Sequence, residues 1–239
     1  MGAILLNGWS ASKSCWQDAL SDARFADWQV WDLHAFDDWL ALERALSSSL
    51  RPGDVLAGWS LGGMLAARYI SKHQPSLAGF ITFNANLRFV ASEEYGEAMP
   101  ESTFADFEQF VAVSDPSAIC KRFSSLMLKG SAYAGERQRL RACYNAQTLP
   151  DLGVMRKQLA CLGTLDLRRS SASSWPKSIH FSGTHDVLVP SASVENWAAL
   201  TKGECALYDG GHIPFLGAWT QVSERLVEFL SGANSVETR

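Results

Sequence analysis

The sequence predicts an α/β fold: a roughly six-stranded, mostly parallel sheet flanked by helices, with a helical cap inserted. Three observations lead there. Short apolar runs bounded by turn residues alternate with amphipathic stretches along most of the chain. One long segment, 88–169, breaks the alternation and carries helical patterns alone. The 239 residues, 47 % hydrophobic and 19 % charged, fit one domain with an insertion better than two independent domains.

Strands are expected at Ala3–Leu6, Gln29–Trp31, Asp54–Ala57, Ala78–Phe83, Ile179–Phe181 and Ala206–Tyr208. Helical patterns lie between several of them. In Phe36–Leu50, residues Trp39, Leu42, Leu46 and Leu50 fall near one face. Leu61–Lys72 carries Leu61, Met64, Leu65 and Ile70 and stops before Pro75. Val222, Leu226, Phe229 and Leu230 keep helical spacing, with Gly232 placed to end that helix. The polar tail 231–239 reads as frayed. The core is therefore assigned to 1–87 and 170–239, and the cap to 88–169.

Composition excludes several classes of function. A net charge of −4 argues against nucleic acid as the main partner. No apolar run approaches the roughly 18 residues of a membrane span. The N-terminus, MGAILLNGWS, lacks a basic region and reads as an early strand, not a signal peptide. Cys15, Cys120, Cys143, Cys161 and Cys205 form no CxxC pair, so they read as reduced thiols in a cytoplasmic protein. Neither a metal site nor a cofactor motif is present in the sequence. Charge within the cap is uneven: 93–115 holds seven acids and no base, whereas 121–157 holds eight bases against two acids, a local net of +6.

The tripeptide Gly-Trp-Ser occurs twice, at 8–10 and 58–60. Ser60 lies in Gly58-Trp59-Ser60-Leu61-Gly62-Gly63, after a predicted strand and before a predicted helix. That is G-x-S-x-G in the strand–turn–helix setting of a nucleophile elbow. Small residues are needed there because larger side chains would strike the adjoining strand and helix. Ser10 has no glycine two residues on and reads as a turn residue. A serine nucleophile needs a histidine base, and the histidine needs an orienting carboxylate. His34 precedes the serine in the chain, His73 ends a helix, His180 lies inside a strand pattern, and His185 adjoins Asp186. His212 follows the last strand, where the order Ser…Asp…His of α/β-hydrolases places the base. Asp186, on the loop after Ile179–Phe181, is the favoured acid, ahead of Asp209 and Asp166. Asn7-Gly8-Trp9 resembles the loop that donates one oxyanion N–H in this fold, so the backbone N–H groups of Trp9 and Leu61 are assigned that role. Trp9 also reads as a core aromatic, and the two readings are compatible.

These motifs make the chain resemble the α/β-hydrolase fold. More narrowly, NGW, GWSLGG, KRFSSLMLKG, LGTLDLR, SGTHDVLVP and GGHIPF resemble the pimeloyl-[acyl-carrier protein] methyl ester esterase family of biotin synthesis. The similarity runs over nearly the whole chain; the cap segments narrow it, since the elbow and triad motifs occur in many hydrolases. One departure is Asn7, where the family often has histidine. The resemblance implies a serine carboxylesterase acting on a methyl ester carried by acyl carrier protein; the chain is expected to be a monomer. It further implies that Phe123 lines the acyl pocket and that Arg122 and Arg139 contact the acidic carrier, with Arg137 and Arg141 as neighbours able to substitute. The alternatives are a general small-ester carboxylesterase or thioesterase with the same triad, and a non-catalytic ligand-binding hydrolase fold.

Overall fold

The computed structural model describes residues 2–131, 133–145 and 149–233. Six strands form one all-parallel sheet: β1 (Ala3–Leu6), β2 (Trp28–Trp31), β3 (Val55–Trp59), β4 (Gly79–Phe83), β5 (Ser178–Gly183) and β6 (Glu204–Tyr208). Their order is β2-β1-β3-β4-β5-β6. The four central strands are buried along their whole length, whereas β2 and β6 form the half-buried edges. Continuous apolar runs in the centre follow from helices covering both faces.

The helices are α1 (Trp39–Ser49), α2 (Leu61–His73), α3 (Glu101–Val113), α4 (Pro116–Met127), α5 (Glu136–Asn145), α6 (Leu152–Thr164), α7 (Ser193–Thr201) and α8 (Trp219–Ala233). The two faces of the sheet are chemically distinct. Phe83 and Phe181 stack at 5.2 Å, and Trp16 and Trp219 pack on Phe83. On the opposite face His180 stacks at 5.3 Å on Trp197 of α7.

Three details differ from the sequence reading. The first helix begins at Trp39, not Phe36, because Leu33–Ala35 makes a 3-10 turn and the Asp38 carboxylate caps Ala41 N–H at 2.8 Å. Gly232 does not end the last helix, which runs to Ala233. Val222, Leu226 and Phe229 are fully buried, and that packing outweighs a glycine cost of about 1 kcal/mol. The rest of the predicted frayed tail, 234–239, lies outside the described residues. Helix α7 was not foreseen.

Helices α3 to α6 all lie between β4 and β5. The two ends of this insertion meet. Leu167 N–H donates to Leu87 O at 2.8 Å, and Arg88 reaches Asp166 at 3.2 Å across an isolated antiparallel bridge. No described helix is long and apolar enough to cross a membrane.

Parallel pairing brings the C-terminal ends of all strands to one edge. The chain runs from β1 outward to β2, then returns to place β3 on the other side of β1. The crevice at such a reversal, beyond the strand C-termini, is where open α/β sheets bind ligands. Trp9 follows β1 there, and Ser60 follows β3.

Candidate active site

The elbow at Ser60 is set by close approach. A Cβ on Gly62 would lie 2.1 Å from Leu6 O and 2.5 Å from Asn7 O, and one on Gly58 would lie 2.4 Å from Gly62 O. Only glycine lets α2 start this close to β1. Ser60 itself has φ 55° and ψ −122°, a strained conformation that costs on the order of 1–3 kcal/mol. The surroundings enforce it: Ser60 N–H donates to Phe83 O at 2.9 Å, and Gly63 N–H to Ser60 O at 3.0 Å. The Ser60 hydroxyl does not cap α2, and among the described residues it has no hydrogen-bond partner, His212 included. Nucleophile–base hydrogen bonds are commonly long before substrate binds.

His212 and Asp186 are brought together. Nδ1 of His212 lies 2.7 Å from Asp186 Oδ2, with both side chains buried. A carboxylate only accepts, so Nδ1 carries the proton and Nε2 presents a lone pair. Asp186 is fully supplied with donors. Its Oδ1 accepts from Leu188 N–H at 2.8 Å and Val189 N–H at 3.0 Å, and its Oδ2 also accepts from Asn84 Nδ2 at 2.8 Å. These bonds offset the cost of burying a carboxylate. The His212 loop is tied to the elbow by Trp59, whose Nε1–H donates to His212 O at 2.9 Å.

The rival acids lie elsewhere. Asp209 pairs with the exposed His185 at 3.1 Å. Asp166 binds Arg168 at 2.7 Å and Arg88, and the Arg168 guanidinium holds its carboxyl down at about 2. The other histidines are engaged too: His73 with Glu43 at 2.6 Å, His34 with Asp32 at 3.9 Å, and His180 between the hydroxyls of Thr82 and Thr201 at 2.9 Å each. Burial pushes the His180 pKa down to about 3.

The Trp9 and Leu61 N–H groups carry no hydrogen bond among the described residues. Leu61 is the first residue of α2, so its N–H is one of the donors a helix start leaves free. Asn7 builds the loop beneath Trp9. Its Oδ1 accepts from Gly8 N–H at 3.0 Å and Trp16 Nε1–H at 3.2 Å, and its Nδ2 donates to Asp32 at 3.1 Å. An asparagine thus fixes the loop from both ends of its amide. Ser10 is buried at a turn with φ 56°.

The insertion closes over Trp9. Its indole donates to Met155 O of α6 at 2.9 Å and meets Phe123 of α4 edge-on at 4.9 Å and Phe107 of α3 at 5.7 Å. Phe123 is therefore buried against the residue that follows Gly8. Among the arginines, Arg122 places its guanidinium 4.4 Å over the Phe110 ring. Arg139 is partly committed: it donates to Leu216 O, on the His212 loop, and to Asp18 at 3.0 Å. Arg137 and Arg141 are exposed and, with Lys121, line a cleft of about 310 Å³ between α4 and α5.

Three contributors were not foreseen. Trp59 was read only as part of the elbow motif. Tyr208 was read only as a strand end, yet its hydroxyl lies 2.7 Å from both Asn84 Oδ1 and Gly211 O. Asn84 follows β4 with φ 48°, a left-handed conformation that asparagine tolerates better than most residues. An asparagine directly after a buried strand is the one signal the sequence offered.

A six-stranded parallel sheet, a strained serine elbow and a buried Asp–His pair at its C-terminal edge define a class. The alpha/beta hydrolase family model matches residues 3–225, and the chain belongs to that family. More specifically, it is 34 % identical over 190 residues to the pimeloyl-[acyl-carrier protein] methyl ester esterase of Xanthomonas campestris pv. campestris (strain B100), covering 78 % of this chain and 74 % of that protein. The protein of the same name from Xylella fastidiosa (strain M12) is 34 % identical over 185 residues, covering 75 % and 72 %. Among solved structures, an esterase from Exiguobacterium antarcticum superposes with a TM-score of 0.80 at 15 % identity, covering 97 % of this chain and 92 % of that one. A bromoperoxidase from Bacillus anthracis gives 0.77 at 21 % identity, covering 96 % and 92 %. At these identities the structures share the fold alone.

Proposed function

We propose that the protein is a serine carboxylesterase that hydrolyses the methyl ester of pimeloyl-[acyl-carrier protein] to the free acid and methanol. The observation that carries the chemistry is the Asp186–His212 pair at 2.7 Å, locked to the elbow of Ser60 through Trp59. The relatives named for that reaction supply the substrate.

Ser60 Oγ attacks the ester carbonyl carbon while His212 Nε2 takes its proton. Asp186 holds the Nδ1 proton and balances the imidazolium charge. The N–H groups of Trp9 and Leu61 receive the oxyanion at the N-terminus of α2. The tetrahedral intermediate collapses, His212 returns the proton to the departing methoxide, and methanol leaves. Water then attacks the acyl-enzyme by the same route in reverse. Phe123 and Phe107, packed on Trp9, form part of the acyl wall. Residues 88–169 act as the cap over it. The exposed Arg122, Arg137 and Arg141 present the cap's positive charge to an acidic carrier protein, and Arg139 contributes with the part of its side chain that remains exposed.

The test compares a methyl pimeloyl-carrier protein with a short free methyl ester. Wild type, Ser60→Ala and the double variant Arg137→Glu/Arg141→Glu are assayed on both. Ser60→Ala is expected to lose on the order of 10⁴-fold in turnover on either ester. The double variant is expected to lose activity on the carrier substrate only. Equal rates on both esters, unaffected by the arginines, would leave a general small-ester esterase instead.

A further inference from the structure

Away from Ser60, two cysteines approach each other across the boundary between insertion and core. Cys15 sits in the 3-10 turn Lys13–Trp16, shortly after the Trp9 loop, and is buried. Cys143 sits in α5 and is partly exposed. Cys143 and Ser14, the residue before Cys15, are joined by two side chain–backbone contacts. Ser14 Oγ donates to Cys143 O at 3.4 Å, and Cys143 Sγ lies 3.9 Å from Ser14 O. Cys143 Sγ thus lies against the backbone that leads directly into Cys15. The Cys15 side chain holds the Cys143 thiol below its ordinary range, against burial and the Asp18 charge. The Cys143 side chain, together with burial, pushes the Cys15 thiol up.

We propose that Cys15 and Cys143 form a reversible disulfide, with a hydroperoxide as oxidant. The pair divides the two roles such a reaction needs. The reachable, thiolate-prone member is Cys143, and the thiolate is the nucleophile. Its sulfur attacks the peroxide; the O–O bond breaks, and hydroxide leaves and is protonated to water. Cys143 is then a sulfenic acid. Cys15 Sγ attacks that sulfur, the S–O bond breaks, and the oxygen leaves as a second water with the Cys15 proton. Two thiols and one hydrogen peroxide give one disulfide and two waters. Burial raises the Cys120 and Cys161 thiols; Cys205 is exposed, and partial burial and the Glu195 charge raise its thiol. The disulfide joins α5 to the segment that follows Trp9, so it fastens the insertion to the core.

The test treats the folded full-length protein with hydrogen peroxide and maps thiols under non-reducing conditions. The expected product is a peptide pair joined between Cys15 and Cys143, lighter by two hydrogens and restored by dithiothreitol. Cys143→Ser, at a partly exposed position, is expected to abolish it. Cys15→Ala is expected to leave a Cys143 sulfenic acid that dimedone traps. If Cys15→Ala does not fold, the wild-type map and Cys143→Ser still decide. The proposal fails if another cysteine is oxidised first, or if wild-type Cys143 proceeds to the sulfinic acid with Cys15 still reduced.

Discussion

The indole N–H of Trp59 donates to the main-chain carbonyl of His212 at 2.9 Å. The residue before the elbow serine therefore holds the loop that carries the histidine. The two rings also lie 5.6 Å apart, so the contact is packed as well as polar. Serine and histidine sit in one mechanical unit although they are far apart in sequence.

Trp59→Phe keeps most of the ring and removes the donor, leaving His212 O buried and unpaired. A loss of about 1–3 kcal/mol in stability is expected. The activity cost should fall on kcat more than on KM, since what is disturbed is the base and not the acyl wall. Thermal melts and steady-state kinetics on one ester check both.

Asn84 shares Asp186 Oδ2 with His212, donating at 2.8 Å. Asn84→Ala removes a donor from a buried carboxylate and a tolerant residue from a left-handed position. A fall of roughly 10- to 100-fold in kcat is expected with KM little changed, since the lost donor supports the acid that orients the base. Lowered stability with kcat unchanged would reduce Asn84 to a packing role.

Gly62→Ala sets a methyl 2.1 Å from Leu6 O. Backbone cannot yield there without moving β1 or α2. Loss of soluble folded protein, or of all Ser60 reactivity toward a fluorophosphonate probe, is expected.

Two buried groups tilt stability against pH in opposite directions. His180 has its folded pKa pushed down to about 3 by burial, so its contribution is present above the ordinary histidine pKa near 6.5 and is lost as pH falls. Glu136 has its folded pKa raised to about 7 by burial beside Gly217, so its contribution is present below the ordinary value of 4.5 and is lost as pH rises through 7. Between pH 6.5 and 5 the two slopes offset in the wild type. His180→Gln should therefore remove a slope approaching about 1.4 kcal/mol per pH unit. Glu136→Gln should stabilise by about 1–2 kcal/mol at pH 8 and by nothing near pH 4.5. Urea unfolding across this range checks both.

What the sequence disclosed follows from how local each feature is. The strands announce themselves because each central one is a continuous apolar run. The partnership of Asp186 with His212 is legible because strand–loop order alone places both at the sheet's C-terminal edge. Tyr208 and Trp59 are silent, and Asn84 shows only as an asparagine after a buried strand, because their hydrogen bonds cross strands that sequence does not align. Helix α7 is short, and its burial rests on Trp197 meeting His180 from another strand. Gly232 misleads because its local preference is overridden by the packed face of α8.

The insertion leaves the core at Arg88 and returns at Asp166, through a doorway one bridge wide. Both jambs are fixed by the Leu167–Leu87 hydrogen bond and the Arg88–Asp166 ion pair. Closing a chain between two points already side by side costs little entropy, and that cost grows only slowly with length. The segment is in effect a cassette: a longer, shorter or foreign one fits the same frame without re-registering β4 against β5. What such an exchange would have to keep is the polar tie from the insertion to Trp9, the Met155 carbonyl.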